Sequence, residues 1–289
     1  MYHSALRRIT SVLRYSILRR MSSSRKEHLD VTAGQFRHDL VSGAEVVDKR
    51  LISPTVYGLT LKVEDPNFGF HAGQWVDFCI PGTNLVGGYS MCSAPDQLRM
   101  EGTLELAVKR SSWPPAVWIH QQCRVGSRVT LKAGGNFFFH PAPQDPARPL
   151  LLVAGGVGIN PLVSILRHCR HLRAESRRTG AGYVPRPVEL LYSARSRHEL
   201  IFRDTIARMA DEGLVTANLF VTGNGVPVDD TSCHNRRVSS SDVESAVARL
   251  GGAPLCYLCG PSAMVEAVEG CLLGRLRLNT ADVRFERWW

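Results

Sequence analysis

From residue 41 to about residue 140, apolar and polar positions alternate in short runs. Gly58-Leu59-Thr60-Leu61-Lys62-Val63, Thr103-Leu104-Glu105-Leu106-Ala107-Val108-Lys109 and Ser127-Arg128-Val129-Thr130-Leu131 each put every second residue on an apolar face. That is the period of a strand with one side against a core. Gly73, Pro81-Gly82, Gly87-Gly88, Gly102, Gly126 and Gly134-Gly135 punctuate the runs. Short strands at this spacing predict an antiparallel barrel or sandwich.

Four prolines, Pro141, Pro143, Pro146 and Pro149, mark a change of pattern. Residues 150–154 are wholly apolar, as in a parallel strand covered on both faces. Leu162, Val163, Ile165, Leu166 and Cys169 then recur at helical spacing. Further apolar strands are predicted at 188–192, 214–221 and 255–258. Helices are predicted at 200–210, after a capping box Ser241-x-x-Glu244, and from Pro261 onward. Strand–helix alternation predicts a doubly wound α/β domain with a parallel sheet. The organisation read from the pattern is a tail at 1–26, a polar linker at 27–40, a β-barrel at 41–146 and an α/β domain at 147–289.

A length of 289 residues suits two ordinary domains. The net charge of +9 invites a nucleic-acid reading, but seven of the positive charges, Arg7 through Lys26, precede the first acid, Glu27, and leave only +2 for the rest. A basic nucleic-acid face on the body therefore has little support, and no nucleic-acid partner is expected. The tail is Arg- and Ser-rich, with Leu6, Ile9, Val12, Leu13, Ile17 and Leu18 near helical spacing, which points to a mitochondrial transit segment. No apolar run is long enough to span a bilayer. The eight cysteines are scattered. Cys256 and Cys259 have C-x-x-C spacing but no second pair or matching histidines, so buried thiols are expected rather than a metal site. His168 and His171, at i,i+3, lack a third ligand and read as a solvated helix face.

The chemistry-bearing segment is Gly155-Gly156-Val157-Gly158-Ile159-Asn160-Pro161, directly after a buried strand and directly before a helix. Residues without side chains let a backbone approach a pyrophosphate, and the positive end of the helix then holds it. A tight turn that binds nothing has the same letters. A second motif, Cys259-Gly260-Pro261, ends the fourth strand, where open α/β sheets bind ligands.

A barrel followed by Gly-Gly-x-Gly-Ile-x-Pro, then Tyr192-Ser193-Ala194-Arg195, then Cys-Gly-Pro, resembles the ferredoxin–NADP reductase superfamily over residues 41–289. The resemblance implies an FR-type barrel that holds FAD or FMN, an α/β domain that holds NAD or NADP, hydride transfer from nicotinamide to flavin, and onward transfer to an electron acceptor that the sequence does not name. It places Gly155, Gly156, Val157, Gly158, Ile159, Asn160 and Pro161 at the pyrophosphate and Ser193 and Arg195 near the adenosine end. Cys259, with Gly260 and Pro261, falls at the nicotinamide. Arg195 and Arg197 leave NAD and NADP both open, because an arginine fork can take a 2′-phosphate. On the barrel it places Tyr89 on the flavin ring, Ser90 at the flavin N5 edge and Lys109 beside the cofactor. At the C-terminus, Glu286 is the acid and Trp289 the stacking aromatic.

Two departures stand out. The superfamily's Arg-x-Tyr-Ser begins here with Gly87, which has neither the charge nor the donors that bind a flavin phosphate. The second phosphate contact reads Ser111-Ser112-Trp113-Pro114-Pro115-Ala116, where two prolines remove two N–H donors. The sequence thus leaves two functions open: an NAD(P)H-dependent flavin oxidoreductase, or a flavin-deficient NAD(P)-binding sensor or interaction module.

Overall fold

The computed structural model describes residues 27–223 and 233–288. The transit reading of 1–26 and the stacking role of Trp289 lie outside the described residues.

The alternating runs become six antiparallel strands: β1 (Arg37–Ser53), β2 (Val56–Val63), β3 (Trp75–Cys79), β4 (Val86–Ser90), β5 (Thr103–Lys109) and β6 (Arg128–Gly134). They pair in the order β4-β3-β6-β1-β2-β5, and a bridge between Met91 and Leu106 joins the two ends of that order into a barrel. The apolar half of each alternation, including Leu59, Leu61, Leu104, Leu106, Val129 and Leu131, fills the interior. Three helices lie on the barrel: α1 (His28–Val31), α2 (Pro95–Glu101) and α3 (Pro114–Gln121).

The expected linker at 27–40 is folded. It forms α1 and the first part of β1, and His28 is only 2% exposed. The segment reads as polar because it covers the outer face of β3, where a buried carboxylate, Asp77, needs partners. His28 Nε2 lies 2.8 Å from Asp77 Oδ1, and Arg37 Nε donates to Asp77 Oδ2 at 2.7 Å.

The second half forms six parallel strands: β7 (Leu150–Gly155), β8 (Val188–Ala194), β9 (Val215–Val221), β10 (Cys233–His234), β11 (Leu255–Pro261) and β12 (Val283–Trp288), in the order β10-β9-β8-β7-β11-β12. The principal helices are α4 (Ile159–Thr179), α5 (Arg203–Asp211), α6 (Ser240–Leu250) and α7 (Ser262–Gly270). Successive strand residues feed opposite cores. Leu152, Ala154, Tyr257 and Cys259 lie in a core shared with Phe137 and Phe139 from the segment after β6, whereas Leu151, Val153, Cys256 and Leu258 pack under α6 and α7.

Three local boundaries differ from the sequence reading. The capping box is Ser239 with Asp242, not Ser241 with Glu244, and Asp242 also pairs with Arg236. Pro261 closes β11, so the helix begins at Ser262. Leu200 and Ile201 are buried ahead of α5, and the chain turns at Phe202 (φ 61°) before the helix starts at Arg203.

The two domains are stapled by one stripe of α4. Asn160 Nδ2 donates to the Ala107 carbonyl at 2.8 Å, Ser164 Oγ to the Ser93 carbonyl at 2.7 Å, and Arg167 Nη1 to the Cys92 carbonyl at 2.8 Å and to Glu105 at 2.6 Å. Spacings of four and three residues put all three on one helix face.

Candidate functional site

In the parallel sheet, β8, β9 and β10 lie to one side of β7 while β11 and β12 lie to the other. The connections therefore leave β7 and β11 in opposite directions, and the strand ends there open a crevice. The register carries the candidate residues to that one edge. Gly155 pairs with Ser193, Ala154 with Cys259, and Cys259 in turn with Glu286.

The turn after β7 is one 3₁₀ turn, Gly156–Gly158, leading into the 21-residue α4. Gly156 has φ 57°, a backbone region that glycine enters freely. Gly158 lies against the Cys259 carbonyl so closely that a Cβ there would overlap it. The turn is thus pressed onto the end of β11, which brings the N-terminus of α4 and Cys259-Gly260-Pro261 together. The first N–H groups of a helix have no partner within it, and its N-terminus is electropositive, so this end can receive a pyrophosphate. Pro161 contributes no N–H.

Not every residue of the predicted loop faces the crevice. Ile159 and Pro161 are buried in packing. Asn160, expected at the pyrophosphate, spends its amide N–H on the barrel at Ala107, and its Oδ1 is buried without a protein partner. Ser193 is partly buried at the end of β8, and Arg195 is exposed just beyond it. Lys109 shares the face of β5 that carries Glu105 and Ala107, both of which contact α4, so alternation turns it toward the α/β domain. The Asn160–Ser164–Arg167 stripe was not recognised from sequence. Its only signal is a row of polar residues inside an otherwise apolar helix segment.

Cys259 is fully buried. Cys256 faces the opposite core, where burial pushes its thiol up to about 12. The C-x-x-C pair therefore cannot converge on one metal ion, and among the described residues no cluster of metal-ligating side chains is found. Glu286 sits beside Cys259 with its carboxyl enclosed. Burial raises its pKa to about 8, and Oε2 has no hydrogen-bond partner. His168 and His171 are not on a solvated face. Burial lowers His168 to about 4, and His171 Nδ1 lies 3.4 Å from Asp96 of the barrel.

On the barrel side, Ser90 is buried, and Tyr89 is partly buried against the barrel core with its hydroxyl enclosed and unpartnered. The Tyr89 ring leans back over Gly87. A Cβ at Gly87 would stand 2.5 Å from that ring and 2.9 Å from Pro115. The place where the superfamily's phosphate-binding arginine would begin is thus already filled. Pro114 and Pro115 occupy the first turn of α3, which removes the N–H donors a phosphate would need there. The Gly134-Gly135 turn gives room to the Trp75 indole instead of to a ligand. The phosphate end of a resident flavin does not fit these residues.

The comparisons bear on the fold and on the α/β half. A family model described as the oxidoreductase NAD-binding domain matches residues 152–270. The chain is 40% identical to oxidoreductase NAD-binding domain-containing protein 1 of Bos taurus, over 98% of this chain and 93% of that protein. It is 31% identical to ferredoxin–NADP reductase B of Sorangium cellulosum, over 82% of this chain and 96% of that one. Among solved structures it is similar to the Amycolatopsis cytochrome P450 reductase GcoB, with a TM-score of 0.66 at 24% identity, covering 86% of this chain and 69% of that one. The α/β half is therefore a nicotinamide-nucleotide domain in a reductase fold, and among the described residues no helix is long and apolar enough to cross a membrane.

Proposed function

We propose that this chain, which belongs to the family of oxidoreductase NAD-binding domain-containing protein 1 within the ferredoxin–NADP reductase superfamily, takes a hydride from NAD(P)H on its α/β domain and delivers it across the cleft toward the barrel. The observation that carries this reading is the convergence of the Gly155–Gly158 turn, the α4 N-terminus, Cys259 and Glu286 on one edge of the parallel sheet, on the face that meets the barrel. The nicotinamide, when bound, supplies the hydride, and the protein supplies position and electrostatics.

In this reading the glycine turn holds the pyrophosphate and Ser193 and Arg195 lie toward the adenosine. Arg195 can serve either NAD or NADP. Cys259, Gly260 and Pro261 form the wall of the nicotinamide pocket. Glu286 keeps a proton at its carboxyl up to about pH 8 and leaves no negative charge beside the ring. Ser90 closes the cleft from the barrel. A tightly held flavin does not fit, so no step is assigned to one. The electrons leave to a separate acceptor. We also propose that residues 1–26 direct the protein to mitochondria, which fusion of those residues to a fluorescent protein tests directly.

The filled space at Gly87 favours a second reading, a nucleotide sensor or interaction module without turnover. Titration calorimetry with NADH and NADPH, followed by NAD(P)H-dependent reduction of ferricyanide, separates the two. Binding with turnover supports the oxidoreductase, binding without turnover supports the sensor, and no binding of either nucleotide sinks both.

A further inference from the structure

We propose that the arginine-lined cavity between α2, α4 and α5 is a second ligand site, separate from the crevice, that takes a nucleoside polyphosphate. Its phosphates lie on the guanidinium groups of α4 and α5, and its base lies toward α2. The proposal does not depend on the donor reading, because none of these residues stands at the crevice.

The cavity encloses about 560 Å³. Small-molecule sites commonly span about 300–1,000 Å³. Its walls come from both domains: α2 of the barrel supplies Asp96, Met100 and Glu101, and α4 and α5 supply the arginines. Asp96 Oδ2 lies 3.4 Å from His171 Nδ1, which ties the two walls together. Arg170, Arg173 and Arg177 follow one another at three- and four-residue spacing and so share one face of α4. At about 1.5 Å per residue they stand roughly 17–27 Å along the axis from the helix start at Ile159. Crevice and cavity are thus served by opposite ends of one helix.

The α4 and α5 wall carries more positive charge than the protein itself pairs. Arg170 donates to the two oxygens of Glu212 at 2.8 and 2.6 Å, and Arg173 donates to the carbonyls of Glu212 and Gly213 at 3.1 Å. Arg167 is held by Glu105 and the Cys92 carbonyl. These bonds use the one carboxylate on this wall and fix the forks around it. Arg177 has no hydrogen-bond or ion-pair partner among the described residues, and Arg208 reaches Thr205 Oγ1 at 3.5 Å. Ala174, on the same stretch of α4, is too short to fill the space beside them. Guanidinium groups without a carboxylate of their own offer paired N–H donors in the geometry that phosphate oxygens accept.

The α2 wall suits a base and not more phosphate. Glu101 is exposed, and its carboxylate accepts a long bond of 3.4 Å from Thr103 Oγ1. It repels an anion and can accept from the exocyclic amine of a purine. Met100 is 63% exposed, and the buried Met209 also lines the cavity. Thioether side chains adapt to the face or edge of an aromatic ring. A bare phosphate chain would meet the cationic wall alone.

The test uses the full chain, saturated with NADH, with ATP and inorganic triphosphate titrated separately by calorimetry. The expected result is ATP binding at a single site in the presence of NADH, at least about tenfold tighter than inorganic triphosphate, and weakening as salt is raised. Arg177 and Arg208 are exposed. The double variant Arg177→Ala, Arg208→Ala is therefore expected to keep the native thermal midpoint and NADH affinity while losing about tenfold or more in ATP affinity. Gly158→Ala is expected to do the reverse, weakening NADH and leaving ATP unchanged. Absence of ATP binding, displacement of ATP by NADH, unchanged ATP affinity in the arginine double variant, or triphosphate binding as tightly as ATP each overturns the proposal. Failure of the native protein to bind NADH sinks the donor reading alone, since ATP affinity is still compared between the native protein and the arginine double variant.

Discussion

Cys259 and Glu286 are register partners on adjacent parallel strands, so their side chains leave the same face of the sheet at the crevice. Glu286 brings a carboxyl into an enclosed place with no partner for Oε2, and burial raises its pKa to about 8. In the unfolded chain the same group titrates at the ordinary carboxylate value. Between the two values the folded state binds more protons than the unfolded state, so the contribution to stability is complete at low pH and is lost as pH rises toward 8. Glu286→Gln removes that loss. Its stability in urea unfolding is expected to match that of the native protein near pH 3.5, below the unfolded value, and to exceed it at pH 9 by on the order of 2 kcal/mol once solvent screening is allowed for. Identical pH profiles for the two proteins would rule out a protonated Glu286. Turnover of the native protein is likewise expected to fall above pH 8, and that of the variant to stay level.

Gly158 offers the sharpest test of the nucleotide turn. A methyl group there overlaps the Cys259 carbonyl, which is backbone and cannot rotate away. Gly158→Ala must push the turn off β11, at a cost of about 1–3 kcal/mol for overpacking. Nucleotide affinity is expected to fall by more than stability alone explains, because the N–H groups of the turn move with it. Unchanged NADH affinity by calorimetry would show that the pyrophosphate binds elsewhere.

The legibility of this chain follows from where each signal is local. The barrel strands and the parallel strands were readable because burial imposes periods of two or continuous apolar runs on single segments, as in Thr103–Lys109 and Leu150–Gly155. The crevice was readable because the 155–161 turn and the 259–261 turn each carry their own backbone demands. What sequence concealed were pairings across long separations. Residues 27–40 looked like a linker because their polar side chains serve Asp77, some 40 to 49 residues away. Asn160 looked like a pyrophosphate contact because nothing near it in sequence announces Ala107 as its partner. His168 and His171 looked solvated because the covering barrel comes from residues far back in the chain.

His28 is a further case of such hidden support. Its ring fills the space over Gly88 and its Nε2 bonds Asp77, directly behind the strand that carries Tyr89 and Ser90. Burial pushes the Asp77 carboxyl upward, but the bonds from His28 and Arg37 outweigh this and hold it below the ordinary value. A depressed carboxylate stabilises the fold above its unfolded pKa, and that contribution is lost as pH falls through the folded value. His28→Ala is expected to cost about 2 kcal/mol at neutral pH, since it leaves Asp77 with Arg37 alone and opens a void. Acid unfolding should then begin at higher pH than in the native protein. A midpoint unchanged within error in both thermal and acid melts would show that α1 is not part of the stable fold.

The α4 stripe allows the last prediction. Arg167 bridges the Cys92 carbonyl and Glu105, and Asn160, two turns earlier, bridges Ala107. Each of Arg167→Ala and Asn160→Ala is expected to cost about 1–2 kcal/mol through the carbonyl left without its donor. The two domains nonetheless share a continuous apolar core through Phe137, Phe139 and Tyr257. Docking therefore does not depend on the polar stripe alone, and the double variant should lose the sum of the single effects to within about 0.5 kcal/mol. Its calorimetric unfolding should remain one transition. Separation into two transitions in the double variant, with either single variant still showing one, would mean that the polar bridges, rather than the aromatic contacts, hold the nucleotide domain against the barrel.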